Sequence, residues 1–331
     1  MSRHIKNSRI LVTGGAGFIG SNLIKTLLEQ DNEVICLDNF ITGKHENIAG
    51  IKSHKHFTLI EGDIRNFDDC KGAVDGIEYV LHQAALGSVP RSIIDPITTN
   101  SHNITGFLNM ITASRDAKVK RFVYAASSSV YGDHPGLPKY EDNIGKPLSP
   151  YAVTKYVNEL YAKVFSDTYG LETIGLRYFN VFGPNQDPNG AYAAVIPKFI
   201  TQLMNHEAPL IHGSGDTSRD FTYIDNVVQV NQLAALTKNE VALNTVFNVA
   251  CSERTTLTEM VDILIRELAF YDKSIAEIHP IYGNERKGDI KHSHASIEKA
   301  KTLLEYSPKV LVNEGLGKTV KWFWENNHYN S

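Results

Sequence analysis

The chain has 331 residues, 42% apolar and 21% charged, with a formal net charge of −4. That length suits two lobes or one large α/β unit, and the composition is that of an ordinary soluble globule. Lysines and arginines are scattered without a basic tract, and apolar runs stay far below the ~20 residues a membrane span needs, which argues against nucleic acid and membrane as partners.

The opening residues hold no apolar run suited to a signal peptide, so the cytoplasm is the expected location. Short β-branched runs then alternate with amphipathic stretches. Strands are predicted at Arg9–Thr13, 34–38, Phe57–Glu61, 79–83, 122–126 and Thr173–Tyr178. Helices are predicted at 18–30, at 103–117 and around Tyr151. This alternation predicts an α/β fold of the Rossmann type, a doubly wound parallel sheet covered on both faces. Beyond Tyr178 the character changes. Residues 179–192 are rich in Pro, Gly, Asn and Asp and read as a long functional loop. Helices follow at Val195–Met204, 225–236, 258–270, 297–304 and 314–325, and Val246-Phe247-Asn248-Val249 could return to the sheet. The expected division is a dinucleotide-binding domain of 1–178 plus about 225–252, and a smaller, mainly helical substrate lobe of about 179–224 plus 253–331. Cys36, Cys70 and Cys251 match neither zinc spacing nor a disulfide framework, and no metal site is expected.

Gly14-Gly15-Ala16-Gly17-Phe18-Ile19-Gly20 follows a predicted strand and opens a predicted helix. In that context glycines permit a tight turn and close approach of a pyrophosphate, and the helix N-terminus offers free N–H groups. Asp38 ends the next strand, where a carboxylate accepts from a ribose diol and repels a 2′-phosphate, so NAD is favoured over NADP. Asp63 ends the third strand and could reach the adenine; the competing reading is a helix N-cap. His82 reads as a packed strand residue, ahead of the small residues Ala84 and Ala85.

Tyr151 and Lys155 are four residues apart, so on a helix they share a face. A nearby cation favours the phenolate and brings a tyrosine closer to use as a base. The serine cluster Ser127-Ser128-Ser129 lies upstream.

With these motifs in this order, the chain resembles the extended short-chain dehydrogenase/reductases over about residues 8–327. More narrowly it resembles the UDP-hexose 4-epimerases that act on N-acetylated sugars. The resemblance implies Tyr151 as base and acid at the sugar 4-hydroxyl. It implies Lys155 on the nicotinamide ribose, lowering the Tyr151 pKa, and Ser127 as the substrate-orienting hydroxyl, with Ser128 and Ser129 as neighbours that could share the role. In sister 4,6-dehydratases an Asp-Glu pair follows that hydroxyl. Here Ser128 and Ser129 stand there, which argues against dehydration.

The same resemblance extends the NAD contacts beyond the glycine loop to Asn39, Phe40, Thr42 and Gly43 after Asp38, to Ile64, to Gln83 with Ala84 and Ala85, and to Tyr178 and Val181. For the nucleotide-sugar it implies Gly87, Ser88 and Arg91 in a loop like that of N-acetylhexosamine epimerases, then Asn180, Val195 and Lys198. Arg219 and Arg286 suit a UDP diphosphate, because a guanidinium fork grips oxygens in pairs. Asp289 would accept from the uridine ribose, and Ser293 falls where the family gates the sugar pocket, its small side chain leaving room for an acetamide. The expected activity is reversible 4-epimerisation of UDP-GlcNAc and UDP-GalNAc, with UDP-Glc/UDP-Gal or UDP-N-acetylhexuronic acids as alternative substrates, and non-epimerising oxidoreduction as the alternative reaction. A homodimer is expected through a four-helix bundle formed by the Tyr151 helix and the 103–117 helix. A role in supplying surface polysaccharide precursors such as O-antigen units is a family expectation.

Overall fold

The computed structural model describes residues 4–190, 193–285 and 291–326. Seven strands form a parallel sheet: β1 (Arg9–Thr13), β2 (Glu33–Asp38), β3 (Phe57–Glu61), β4 (Tyr79–His82), β5 (Arg121–Ser127), β6 (Thr173–Tyr178) and β7 (Thr245–Val249), in spatial order β7-β6-β5-β4-β1-β2-β3. Central strands are covered on both faces, which is why β6 is buried along its whole length despite lacking an alternating pattern. The edge strand β3 is only partly covered. β7 joins the sheet beside β6, as the Val246–Val249 pattern suggested.

The helices that matter for the site are α1 (Phe18–Leu28), α2 (Phe107–Asp116), α3 (Pro150–Tyr169), α4 (Val195–Met204), α5 (Ile224–Leu236), α6 (Leu257–Leu268) and α7 (Val312–Asn326). The predicted 103–117 helix differs from expectation. It is entered through a π-helical turn at Ser101–Gly106, and two short helices, Val89–Ile94 and Pro96–Asn100, precede it. The start of the expected 179–192 loop is less irregular than its composition implies. Val181–Phe182 pairs in parallel with Thr222–Tyr223, and Ser218–Arg219 pairs with Thr255–Thr256.

Strand order reverses between β1 and β4, whose neighbours run outward in opposite directions. The connections leaving the carboxyl ends of these two strands diverge, and a crevice opens there. α3 is delivered to that crevice by local signals. Ser149 accepts the Ala152 N–H at 3.2 Å, Pro150 occupies the first turn, and Gly170 at φ 71° ends the helix.

A buried ion pair then pins α3 to the sheet. Arg177 on β6 donates from Nε and Nη2 to the two carboxylate oxygens of Glu159 on α3, at 2.9 and 2.8 Å. Its Nη1 donates to the Tyr131 hydroxyl and to the Glu141 carbonyl. Removing one member of such a pair strands a buried charge, which costs about 3–5 kcal/mol. Arg177→Met should therefore lower the free energy of unfolding in urea by about that much, and adding Glu159→Leu should recover most of the loss.

Candidate active site

β1 delivers its glycine loop against the end of β4. Gly14 adopts φ +67°, and a Cβ there would stand 2.8 Å from the Ala84 backbone. A Cβ on Gly20 would stand 2.2 Å from the Gly14 carbonyl, so glycine is what lets α1 start so close to β1. α1 has Gly17 at its N-cap with no side-chain cap, which leaves its first N–H groups to an anionic ligand.

These elements bound a cleft of about 400 Å³. Thirteen of the anticipated residues line it: Gly14, Gly17, Phe18, Ile19 and Gly20 from the loop and α1, Asp38, Asn39 and Thr42 after β2, Ile64 after β3, and Gln83, Ala84, Ala85 and Gly87 after β4. Asp38 is nearly buried. Its Oδ2 accepts from Ala16 N at 2.9 Å and its Oδ1 from Phe40 N at 2.8 Å. Burial raises its pKa, against the lowering effect of these backbone donors. Each oxygen retains a lone pair for a ribose hydroxyl. Free N–H groups at a helix start, a glycine wall and a buried carboxylate fit the pyrophosphate and ribose of a dinucleotide.

Phe40 and Gly43 act on Asp38 rather than on the cleft wall. Phe40, at φ 56°, turns the chain and stacks on His45 at 3.8 Å, while Gly43 packs where a Cβ would meet both Asp38 oxygens. Asp63 is not the cap that the sequence offered as its alternative role. Asn66 caps the next helix, while Asp63 accepts from Asn39 Nδ2 at 2.9 Å and from the Arg65 guanidinium. Burial acts to raise its pKa, but the Arg65 bonds outweigh it and hold the carboxyl well below the usual range.

A second cavity, of about 220 Å³, adjoins the first and shares Ile19, Gln83, Ala85 and Gly87 with it. Ser127, Tyr151, Lys155, Tyr178, Asn180 and Val181 all line it. Ser127 ends β5, and its Oγ accepts from Ser129 Oγ at 2.9 Å and from Ser129 N at 3.2 Å. Its own proton is left to donate toward the cavity. Ser128 and Ser129 are on neither wall. Tyr178 is fixed by Gln83 at 3.1 Å and Asn231 at 2.9 Å.

One electrostatic expectation is overturned. The Tyr151 pKa is raised, because burial disfavours the phenolate and only the Ser127 hydroxyl opposes it. Lys155 lies 6.0 Å from the phenol ring centre and spends a bond on the Ala125 carbonyl at 2.8 Å. It is 4% exposed, and burial brings its pKa down to about 8 against the attraction of Glu159.

The sugar-side residues are less gathered. Ser88 accepts from Arg91 N at 3.1 Å and caps the Val89–Ile94 helix. Arg219 Nη1 donates to the carbonyls of Ser218 and Lys291, and Ser293 N donates to the Ser218 carbonyl, so Arg219 and Ser293 flank one residue. Val195 opens α4 against the core and Lys198 is exposed on it; neither, nor Arg219 and Ser293, lines the two cavities. Arg286 and Asp289 lie outside the described residues.

Sequence reasoning missed residues that shape this site. His102, Gln186 and Leu86 line the dinucleotide cleft. Asn103 brackets Leu86, accepting from its N–H at 2.8 Å and donating to its carbonyl at 3.1 Å, and also donates to Thr154 on α3. The available signal was an unbroken polar run, Thr98-Thr99-Asn100-Ser101-His102-Asn103, ahead of an amphipathic helix.

Residues 10–250 match the model of the NAD dependent epimerase/dehydratase family. The chain belongs to that family. Its cofactor is NAD, in keeping with the cleft. A putative UDP-glucose 4-epimerase of Methanocaldococcus jannaschii is 36% identical, with 96% of this chain and 99% of the relative covered. A UDP-N-acetylglucosamine 4-epimerase from Methanobrevibacter ruminantium M1, solved with UDP-N-acetylmuramic acid, superposes with a TM-score of 0.90 at 39% identity, over 97% of this chain and 99% of that one. The UDP-glucose 4-epimerase of Thermotoga maritima, solved with UDP-glucose, gives 0.87 at 36% identity, over 96% and 99%.

Asp38 gives a test of the cofactor end. Asp38→Asn should weaken NAD binding about tenfold and narrow the preference over NADP, as read by calorimetric titration of the two dinucleotides.

Proposed function

We propose that this chain interconverts UDP-GlcNAc and UDP-GalNAc by reversible, NAD-dependent 4-epimerisation through a 4-keto intermediate. The observation that carries the reading is the junction of the two cavities: the Tyr151 phenol and Ser127 hydroxyl face a space continuous with the dinucleotide cleft. Bound NAD supplies the hydride acceptor and its positive charge, which favours the phenolate that burial alone resists. Tyr151 takes the 4-hydroxyl proton and later returns it. Ser127, its oxygen already accepting from Ser129, donates to the sugar oxygen and holds it toward Tyr151. Lys155 stays cationic near neutrality and anchors the nicotinamide ribose. The serines at 128 and 129 lack the acid/base character that elimination of water needs. A substrate tethered through its UDP lets the ring turn over between the two hydride transfers.

The acetamido preference rests on Ser293 and on the likeness to the N-acetylglucosamine epimerase of M. ruminantium. The likeness to the T. maritima enzyme favours UDP-glucose as the second reading. Side-by-side assays of UDP-GlcNAc and UDP-Glc should favour the acetylated sugar, and Ser293→Tyr should reverse that preference. Faster turnover of UDP-Glc by the unaltered protein would reject the acetamide assignment. Tyr151→Phe should lose at least about 10³-fold in kcat with the fold intact, the scale of removing a general base.

The proposed assembly is a homodimer. Along α3, Val153, Leu160 and Val164 are exposed in line with half-buried Val157, and Ile93, Ile94 and Ile97 are exposed on the short helices that pack against it. Such a contiguous apolar patch marks an interface. Sedimentation should give twice the chain mass, and Leu160→Glu should give the monomer.

A further inference from the structure

Further along α1, beyond the first turn that faces the dinucleotide cleft, lies a cavity of about 590 Å³ that shares no lining residue with either cavity of the active site. That volume is in the range of small-molecule sites. The wall is assembled from α1, the short helix Glu46–Ala49, the Pro184–Asn185 segment, the start of α5 and Trp322 on α7. Three asparagines in it turn their amide N–H groups into the protein. Asn22 Nδ2 donates to the carbonyls of Phe18 and Pro184 at 2.9 and 3.0 Å, Asn47 Nδ2 to the Ala16 carbonyl at 2.8 Å, and Asn185 Nδ2 to Ser21 Oγ at 3.0 Å. Among the described residues no donor meets their three amide oxygens. The carboxylates of Glu29 and Asp225 add further acceptors, against a single ammonium in the wall, that of Lys25.

Tyr223 is the most deeply set group there. It is 4% exposed, stands edge-on to Phe182 at 5.6 Å, and is closed in by Gly315, where a Cβ would come within 2.9 Å of its ring. The residue lines the cavity, and its hydroxyl makes no hydrogen bond among the described residues. Burial raises its pKa, and the charges of Asp225 and Glu314 raise it further, so the hydroxyl keeps its proton. A polar group this buried and unspent points to a partner supplied from the cavity. The surroundings already accept one ammonium of the chain: Lys318 Nζ lies 5.6 Å from the Tyr223 ring centre, 2.8 Å from Glu314 and 3.9 Å from Asp225.

An acceptor-rich wall with an indole face selects for N–H donors and positive charge. An anion would meet two carboxylates, and a neutral polyol would find few donors for its own oxygens. We propose that this cavity is a second binding site, which takes a small organic cation carrying several N–H donors on an apolar stem, an alkyl diamine or an alkylguanidine. The charged end lies among Asp225, the Tyr223 hydroxyl and the asparagine oxygens, and the stem crosses Trp322. The site is independent of which sugar is turned over.

Trp322 and Trp324 are the two tryptophans of the chain, so in a Trp324→Phe holoenzyme the indole emission reports this cavity alone. Titration at constant ionic strength with 1,4-diaminobutane, and with agmatine, should change that emission saturably, and calorimetry should count one site per chain. The uncharged 1,4-butanediol, of the same length, should leave it unchanged. Tighter binding of agmatine assigns the charged end to a guanidinium, and tighter binding of the diamine to an ammonium. Asp225→Asn should weaken binding about fivefold, the scale of one partly solvated charge-assisted bond. Lys25→Gln, at an exposed position on α1, should tighten it by about the same factor, a change of sign that a merely structural effect does not produce. Emission unmoved by both cations, saturation by the diol at the same concentrations, or equal affinities in Asp225→Asn and Lys25→Gln would overturn the proposal.

Discussion

Everything in the catalytic half of the cleft hangs from the Arg177–Glu159 pair. It is the point at which α3 is fixed in height and rotation against β6, because two parallel hydrogen bonds resist both sliding and twisting. Glu159 lies one turn beyond Lys155, which itself lies one turn beyond Tyr151, so the three side chains share a face. The same carboxylate that grips the sheet also favours the Lys155 ammonium in a place where burial opposes it. Arg177 in turn reaches Tyr131, whose hydroxyl donates to Asn248 on β7 at 2.6 Å. A single buried polar network thus ties the proton-transfer helix to the far edge of the sheet.

The central tension of the site is between burial and charge. The lysine responds as burial dictates, with a pKa near 8 that still leaves it mostly protonated at neutrality. The phenol responds in the same physical direction, toward its neutral form, and therefore away from its use as a base. A sequence shows that two side chains are four apart on a helix. It does not show how deeply the phenol is buried, and burial is what raises the Tyr151 pKa, opposed only by the Ser127 hydroxyl.

The parts of the fold that were legible are those where one interaction dominates. β1 and β6 were bounded by their apolar runs to the residue, since a strand buried on both faces has little else to satisfy, and the partly covered edge strand β3 was bounded as well. The glycine loop was legible because Gly14 and Gly20 answer to backbone contacts that no side chain could tolerate. The π turn at Ser101–Gly106 was not, because Ser101-His102-Asn103-Ile104-Thr105-Gly106 is mostly polar and offers no apolar period from which an extra residue per turn could be read. The two-residue pairing of Val181–Phe182 escaped for another reason. Its partner lies at Thr222–Tyr223, and long-range pairing leaves no local pattern to read. Among the candidate residues, Asp38, Gln83, Ser127 and Tyr178, at or just after strand ends, fall on the walls of the two cavities. Arg219 and Ser293 were harder, since their neighbourhood is assembled from segments more than 70 positions apart.

The position of β7 has a consequence for how the chain is made. β6 ends at Tyr178 and its outer neighbour begins only at Thr245, after the 179–192 segment, α4 and α5 have been threaded. A ribosome releasing the chain from its N-terminus therefore exposes the open flank of β6, with its unpaired backbone groups, until that later segment emerges. Asn248 then closes several gaps at once, donating to the carbonyls of Lys139 and Ser296 while its own N–H meets Glu141. Completion of the seven-stranded sheet thus waits on residues from the second half of the message.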